Sequence, residues 1–245
     1  MRLDGRVAVV TGGTRGLGRQ IVEAFVREGC KVVAAGRDKS VGADLAKGDG
    51  EVILHETDVR DPGSVDELMR VAAGYFGHLD VMVANAGISR PGPVAALDPT
   101  DWSDTVDTNL NGVFHCTRSA VPYLERSEYG GRIVNLSSAL ATRVAPGASA
   151  YAATKAAVEM FTRVTAVELA PKGITVNALC PGLIDGGMSR SIRDNERIWA
   201  LYEPKLASGR LGTTDEVTAA ALFLAGAESS YVSGHVLEVN GALNW

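Results

Sequence analysis

The chain has 245 residues, a formal charge of −5, 46% hydrophobic residues and three cysteines. An acidic balance without interleaved basic and aromatic residues excludes a nucleic-acid-binding face, and no apolar run approaches the roughly 20 residues that a membrane span needs. Cys30, Cys116 and Cys180 are odd in number and stand in apolar contexts, so reduced, packed thiols are expected rather than a disulfide framework.

In chain order, the runs 7–10, 31–35, 52–55, 79–84, 132–136, 175–179 and 236–239 read as buried strands, separated by stretches of helical spacing. Strands alternating with crossover helices predict one α/β domain over residues 1–245. It should be a Rossmann-type doubly wound, seven-stranded parallel sheet flanked by helices, with its site at the carboxyl ends of the strands. No linker, charge block or internal repeat divides the chain. The first strand follows Met1-Arg2-Leu3-Asp4-Gly5 directly, which leaves no room for a signal peptide, and a cytoplasmic location is expected. His55, His78, His115 and His235 lack metal-ligand spacing, so no metal site is expected.

The first strand runs straight into Thr11-Gly12-Gly13-Thr14-Arg15-Gly16-Leu17-Gly18, and Ile21, Val22, Ala24, Phe25 and Val26 then recur at helical spacing. A glycine-rich turn between a strand and a helix directs N-terminal amides and the positive end of the helix dipole at a phosphate. Gly12, Gly16 and Gly18 let the backbone approach a pyrophosphate, although their Gly-x-x-x-Gly-x-Gly spacing differs from the common dinucleotide fingerprint.

The second strand ends at Gly36-Arg37, without the carboxylate that would accept from a ribose 2′-hydroxyl. Arg37 and Arg15 are instead placed to meet a 2′-phosphate by charge-assisted hydrogen bonds, which predicts NADP(H) over NAD(H). Asp38 next door is the one residue that would partly neutralise this corner.

Near the middle of the chain, Tyr151 and Lys155 form a Tyr-x-x-x-Lys pair, and Ser138 lies just past the run 132–136. On a helix beginning near Ser149, positions i and i+4 share a face. Free tyrosine titrates near pH ~10, and a cation held beside it is expected to lower that value toward the working range. Ser138 at a strand end can hold a carbonyl or hydroxyl oxygen against the phenol. The trio predicts proton transfer at a C–O centre.

Together these residues resemble the short-chain dehydrogenase/reductase family over the whole chain. The resemblance makes the loop from Gly12 through Thr14, Arg15, Gly16 and Leu17 to Gly18 the cofactor loop. It implies that Asp58 and Val59 meet the adenine and that Asn85, Ala86 and Gly87 follow the fourth strand and support the sheet. It makes Asn109 a fourth active-site residue beside Ser138, Tyr151 and Lys155, one that bends a helix and holds a relay water. It gives Tyr151 and Lys155 cofactor contacts too, and it places Pro181, Gly182 and Ile184 at the turn beside the nicotinamide. Two positions depart from the family pattern: Ala84 stands where an Asn is common, and Gly186 where a Thr commonly bonds the nicotinamide carboxamide, a contact that Ser189 or a backbone amide would have to replace.

Residues 183–210 are too long for a simple connection and are expected to form a substrate lid. The lid mixes Met188, Ile192, Ile198, Trp199, Leu201 and Tyr202 with Arg190, Arg193, Arg197, Lys205 and Arg210, which suits a partly apolar ketone with or without an anionic handle. Gly209-Arg210-Leu211-Gly212 and Val239-Asn240-Gly241 resemble the 3-oxoacyl-(acyl-carrier-protein) reductase branch. The expected activity is NADPH-dependent reduction of a ketone, a 3-oxoacyl thioester or related β-keto substrate, to a secondary alcohol. Arg126, Arg132 and Lys172 are the candidates for carrier-protein docking near the cleft, interrupted by Glu125 and Glu128.

Two alternatives stay open: a broad carbonyl reductase or secondary-metabolism ketoreductase acting on free ketones, and an NADP(H)-binding regulator without catalysis. The resemblance implies self-association, and a homotetramer is expected over a dimer. The apolar excess of Ala152, Ala153, Ala156, Ala157, Val158 and Phe161 fits a second buried helix face, and Leu243-Asn244-Trp245 is a candidate for packing across a subunit boundary.

Overall fold

A computed structural model describes residues 1–47, 51–186, 189 and 193–244. Met188, Arg190, Ile192 and Trp245 lie outside the described residues. Seven parallel strands form one sheet: β1 (Val7–Thr11), β2 (Lys31–Gly36), β3 (Val52–Glu56), β4 (Val81–Ala84), β5 (Gly131–Leu136), β6 (Ile174–Pro181) and β7 (Val236–Val239), in the order β3-β2-β1-β4-β5-β6-β7. This is the predicted doubly wound sheet. Its order reverses between β1 and β4, where the connections leave for opposite faces and open a crevice at the carboxyl ends.

Alternation along β1 sets the two layers. Ala8 and Val10 pack with Ile21, Val22 and Phe25 of helix α1 (Gly16–Arg27) on one face. Val7 and Val9 pack on the other face with Val65 and Leu68 of α2 (Pro62–Phe76), Val113 and Cys116 of α4 (Gly112–Leu124) and Val158 of α5 (Ser149–Leu169). Each such fully buried aliphatic or aromatic side chain contributes about 1.5–3 kcal/mol over an exposed one. Helix α3 (Pro99–Val106) leads into α4 through a π-turn at Asp107–Asn111. Helix α6 (Glu196–Tyr202) lies in the segment 183–210, and α7 (Thr214–Ala225) completes the α1 layer through Val217, Ala221 and Leu224.

Helix ends follow local chemistry. Asp61, Asp98 and the Thr213/Glu216 capping box close the first turns of α2, α3 and α7, whereas α1 starts after Arg15 with no side-chain cap. Among the described residues no helix is long and apolar enough to cross a membrane.

Candidate active site

The crevice between β1 and β4 is built by Thr11 and Asn85. The Thr11 hydroxyl accepts from the backbone N–H of Asn85 (3.1 Å) and of Ala86 (3.2 Å), and Asn85 Nδ2 donates to the carbonyls of Thr11 (2.8 Å) and Gly12 (3.3 Å). Gly12 and Gly16 hold positive φ values of 64° and 56°, which a residue with a Cβ adopts only under strain. A Cβ on Gly18 would lie 2.2 Å from the Gly12 carbonyl oxygen, so the close contact of α1 with the β1 tip requires glycine. The uncapped first-turn amides of α1 therefore lie beside half-buried Gly12 and exposed Gly16, a cradle of the polarity that a pyrophosphate needs.

Beside the cradle, Thr14 is buried as a wedge between the loops after β1 and β2: a Cβ on Gly36 would meet its Oγ1 at 2.8 Å, and Gly42 packs on its side chain. Arg15 and Arg37 are exposed at the rim, and Leu17 is half-buried. The Asp38 carboxylate accepts from the backbone N–H (2.9 Å) and hydroxyl (2.6 Å) of Ser40, which hold it ionised, and among the described residues it makes no ion pair with Arg15 or Arg37. Asp58, at the β3 tip, pairs with Arg60 at 2.6 Å; that hydrogen bond, and at longer range the Arg37 charge, hold its carboxyl below the usual range. Val59 is buried against Gly112, and its carbonyl is bonded to His115 Nδ1 at 2.9 Å, which fixes the β3 tip on α4.

At the β5 tip the structure brings Ser138, Tyr151 and Lys155 together. Ser138 Oγ accepts from the Leu140 N–H at 3.2 Å, which leaves its own proton to donate toward the Tyr151 phenol or a substrate oxygen. Lys155 is 4% exposed; its ammonium donates to the Leu136 carbonyl at 2.6 Å and sits 5.6 Å from the Tyr151 ring centre. The expected electrostatics need correction here. Burial raises the Tyr151 phenol above its ordinary value, the Ser138 hydrogen bond pulls against that rise, and burial lowers Lys155 to about 8. Desolvation outweighs any cation effect on the phenol because the lysine charge is directed at a backbone carbonyl.

Asn109 is fully buried in the π-turn. Its Oδ1 accepts from the Ile88 N–H (2.8 Å), and its Nδ2 donates to the Ile88 carbonyl (2.9 Å) and to Thr154 Oγ1 (3.3 Å). A Cβ on Gly87 would lie 3.3 Å from Asn109 Oδ1 and 3.7 Å from Lys155 Nζ, so Gly87 leaves room where these side chains converge. Asn109 stands within the π-turn, and its carboxamide is bonded to Ile88 and Thr154.

Beyond β6, the Gly182 N–H donates to the Val239 carbonyl at 3.0 Å, and a Cβ on Gly182 would strike Asn240 at 2.7 Å. Pro181 thus ends against β7, and Ile184 is buried beside a bridge to Gly212. Gly186 has φ 131°, a conformation in which threonine is strained, and Ser189 Oγ accepts from the Ile184 N–H at 3.4 Å. In the segment 183–210, Arg193 pairs with Asp185 and, at 3.6 Å, with Asp194, while Arg210 pairs with Glu216 at 2.6 Å, so these two cations are already paired. Cys180 is buried, and burial together with Glu159 pushes its thiol up to about 12, which makes it a packed rather than a reactive cysteine.

The docking candidates are also corrected. Within one chain, Arg126, Arg132 and Lys172 stand at the amino end of the sheet, opposite the cleft, because α4 and α5 deliver the chain to the starts of β5 and β6. Arg132 is buried and donates to the carbonyls of Gly226 and Gly131, and Lys172 pairs with Glu125. Conversely, sequence reading missed Ser137 and Glu159, which are bonded to each other at 3.0 Å directly behind the Ser138 site. The available signal was the Tyr151, Lys155, Glu159 spacing on one helical face.

Comparison with known proteins agrees with this geometry. Residues 12–244 match the family model described as Enoyl-(Acyl carrier protein) reductase. The chain is 34% identical over 248 residues to the 3-oxoacyl-[acyl-carrier-protein] reductase FabG of Salmonella typhimurium, covering 99% of each, and 36% identical over 247 residues to that of Thermotoga maritima, again covering 99% of each. Among solved structures it superposes with a TM-score of 0.93 on a gluconate 5-dehydrogenase from Burkholderia cenocepacia in complex with NADP and tartrate (32% identity, 99% of this chain and 96% of that one). It superposes with a TM-score of 0.91 on a short-chain type dehydrogenase/reductase from Mycobacterium marinum (31% identity, 98% and 96%). With the cradle at the β1–β4 crevice and the Ser138, Tyr151 and Lys155 cluster beside it, the chain belongs to the short-chain dehydrogenase/reductase family, as a nicotinamide-dependent oxidoreductase of C=O and CH–OH groups.

Proposed function

We propose that this chain is an NADPH-dependent reductase that converts a 3-oxoacyl thioester or related β-keto substrate to the secondary alcohol. The observation that carries this reading is the meeting of Ser138, Tyr151 and Lys155 at the carboxyl end of β5, on the same side of the sheet as the glycine cradle. Gly12, Gly16, Gly18 and the first-turn amides of α1 would hold the pyrophosphate, Arg15 and Arg37 the 2′-phosphate, Asp58 and Val59 the adenine side, and Asn85, Ala86, Gly87, Pro181, Gly182 and Ile184 the nicotinamide half. When bound, the cofactor supplies the hydride.

The residues of the chain do the rest. Ser138 donates to the substrate oxygen and Tyr151 gives up its phenolic proton to that oxygen as the alcohol forms. A raised phenol stays protonated at neutral pH and is therefore ready to act as the acid. Lys155 would bond the ribose of a bound cofactor, and it passes a proton back to the phenol. Asn109 supports that relay by fixing Ile88 and Thr154, so its contribution is placement of the main chain around Lys155.

A free-ketone carbonyl reductase is the second reading, favoured by one observation: the basic residues expected to dock a carrier lie away from the cleft of their own chain. Self-association as a homotetramer is supported by the apolar face that α4 and α5 leave uncovered, with Phe114, Met160, Val164 and Val167 exposed. Three buried free thiols fit a reducing compartment, the cytoplasm.

The test is nicotinamide oxidation with NADPH and NADH in parallel, against 3-oxoacyl thioesters on pantetheine and on carrier protein, and against free β-ketoesters. Faster turnover of carrier-bound substrate supports the first reading. Equal rates on free ketones support the second, and binding of NADPH without turnover of any ketone refutes both.

A further inference from the structure

Three consecutive residues at the tip of β5 meet three successive turns of α5, two of them through close hydrogen bonds. The Leu136 carbonyl accepts from Lys155 Nζ at 2.6 Å, the Ser137 hydroxyl donates to Glu159 Oε1 at 3.0 Å, and the Ser138 hydroxyl reaches Tyr151. Tyr151, Lys155 and Glu159 are spaced i, i+4 and i+8, so they stand along one face of the helix. Two of the three attachments belong to the site already described. The third, Ser137 with Glu159, faces no cleft.

Glu159 is 4% exposed. A carboxylate taken out of water costs several kcal/mol in effective desolvation unless it is hydrogen-bonded or paired. Its nearest cation, Arg163 Nη2, is 3.9 Å away on a half-exposed side chain, too loose to be a strong hydrogen bond. The Cys180 thiol faces the carboxylate from β6, and the closest hydrogen bond to that carboxylate is from Ser137, whose hydroxyl also lies 3.3 Å from the Lys155 carbonyl and whose N–H donates to the Leu179 carbonyl at 2.8 Å. Ser137 is thus gripped from α5 and from β6, one residue before Ser138. An apolar residue at position 159 would fill the same space without the desolvation cost, so the polar groups that face it, the Ser137 hydroxyl and the Cys180 thiol, account for a carboxylate there.

We propose that Glu159 is a positioning residue: by holding Ser137 against α5, it sets the register between Ser138 and Tyr151 and so the placement of the substrate oxygen. This rests on the functional reading above. Displacement of a reacting group by about 1 Å costs on the order of 100-fold in rate, whereas the cofactor cradle lies between β1 and β4 and is untouched by this contact.

The experiment compares Glu159→Leu with Glu159→Gln, two variants of equal charge, of which only the glutamine keeps an oxygen for the Ser137 hydroxyl. Ser137→Ala removes the donor from the other side. The expected result is a kcat lowered by at least about tenfold in Glu159→Leu and Ser137→Ala, with KM for NADPH within twofold of the parent, and recovery to within about threefold in Glu159→Gln. The double variant Glu159→Leu/Ser137→Ala should be no worse than either single one.

A second readout needs no substrate: ultraviolet difference titration of the Tyr151 phenol, corrected with Tyr151→Phe. The groups that face Tyr151 are Lys155 on its own helix, Ser138 from β5 and Cys180 from β6; Glu238 and Arg143 lie behind Cys180, and Arg163 beside Glu159. Since the Ser138 hydrogen bond lowers the phenol, Glu159→Leu should titrate at higher pH than Glu159→Gln. Equal kcat in the two variants, equal damage in both, or coincident titrations would overturn the proposal. If the parent enzyme turned over no ketone, the functional reading would fail and the titration alone would decide the role of Glu159.

Discussion

Lys155 and Leu136 are joined by a 2.6 Å hydrogen bond from the lysine ammonium to a backbone carbonyl, deep enough that the lysine titrates at about 8 instead of its ordinary 10.5. A lysine whose folded value is depressed loses its proton more readily in the native state than in the unfolded chain. Its cost to stability is therefore complete below about pH 8 and is relieved as pH rises from there toward 10.5. The rate should run the opposite way. The Tyr151 phenol is raised and stays protonated through this range, so the first group to titrate is Lys155. For ketone reduction, kcat/KM is expected to be flat below about pH 8 and to fall above it, and Lys155→Arg should lose that limb whatever rate it retains. A pH–rate profile in which the limb survives in Lys155→Arg would assign it to another group.

Replacing Tyr151 by Phe removes the proton donor and preserves the ring. Turnover should fall by roughly 10²- to 10⁴-fold, the usual contribution of a positioned acid. NADPH affinity, measured by quenching of intrinsic fluorescence, should stay within a few-fold, because the cradle is formed by residues at the β1 and β4 tips. Retained turnover would remove Tyr151 from the chemistry, and lost affinity would make it chiefly a cofactor-binding residue.

Arg15 and Arg37 are exposed on either side of the corner between β1 and β2, and Asp38 is occupied by Ser40. A hydrogen bond to a charged group contributes about 1.5–3 kcal/mol, so Arg37→Glu should raise KM for NADPH by at least roughly 10- to 100-fold. KM for NADH should be unchanged or lower, because the introduced carboxylate can accept from a ribose hydroxyl. Steady-state kinetics with both cofactors separate these outcomes; a parallel rise in both KM values would mean that the substitution disturbs the loop and not the phosphate site.

Most of the fold was legible because parallel strands are buried on both faces and read as unbroken apolar runs, and each of the seven runs became a strand. The cradle was legible for a similar reason: glycines at Gly12, Gly16 and Gly18 are forced by backbone geometry. The electrostatics of Lys155 and Tyr151 were not, since i, i+4 spacing brings two side chains to one face without saying whether the ammonium turns to the phenol or to a carbonyl. Glu159 was hidden for the same reason, because its partner Ser137 comes from another element. Gly186 read as a missing hydrogen bond, and its φ of 131° is one that glycine adopts freely and threonine only under strain. The basic residues Arg126, Arg132 and Lys172 looked like a surface patch, yet the start of β5 buries Arg132 and directs it at backbone carbonyls.

Gly16 and Gly18 stand two residues apart in the cradle and should fail in different ways when replaced by alanine. At Gly16 a Cβ meets nothing within 4 Å, and the obstacle is φ 56°, so Gly16→Ala costs roughly 1–2 kcal/mol of backbone strain. Its methyl group would project into the exposed space where a pyrophosphate must approach, so NADPH affinity should fall well beyond what the loss of stability explains. Gly18 is within α1, where alanine is the better helix former by about 1 kcal/mol. Its Cβ, however, would lie 2.2 Å from the Gly12 carbonyl oxygen and 2.4 Å from Asn85 Nδ2, and relieving that overlap means lifting α1 off the β1 and β4 tips. Overpacking of this kind costs about 1–3 kcal/mol or more, so thermal unfolding should show a lower Tm for Gly18→Ala than for Gly16→Ala. A Gly18→Ala protein as stable as its parent would mean that α1 can slide away from the sheet, and the contact of Gly18 with Gly12 would then no longer explain the glycine.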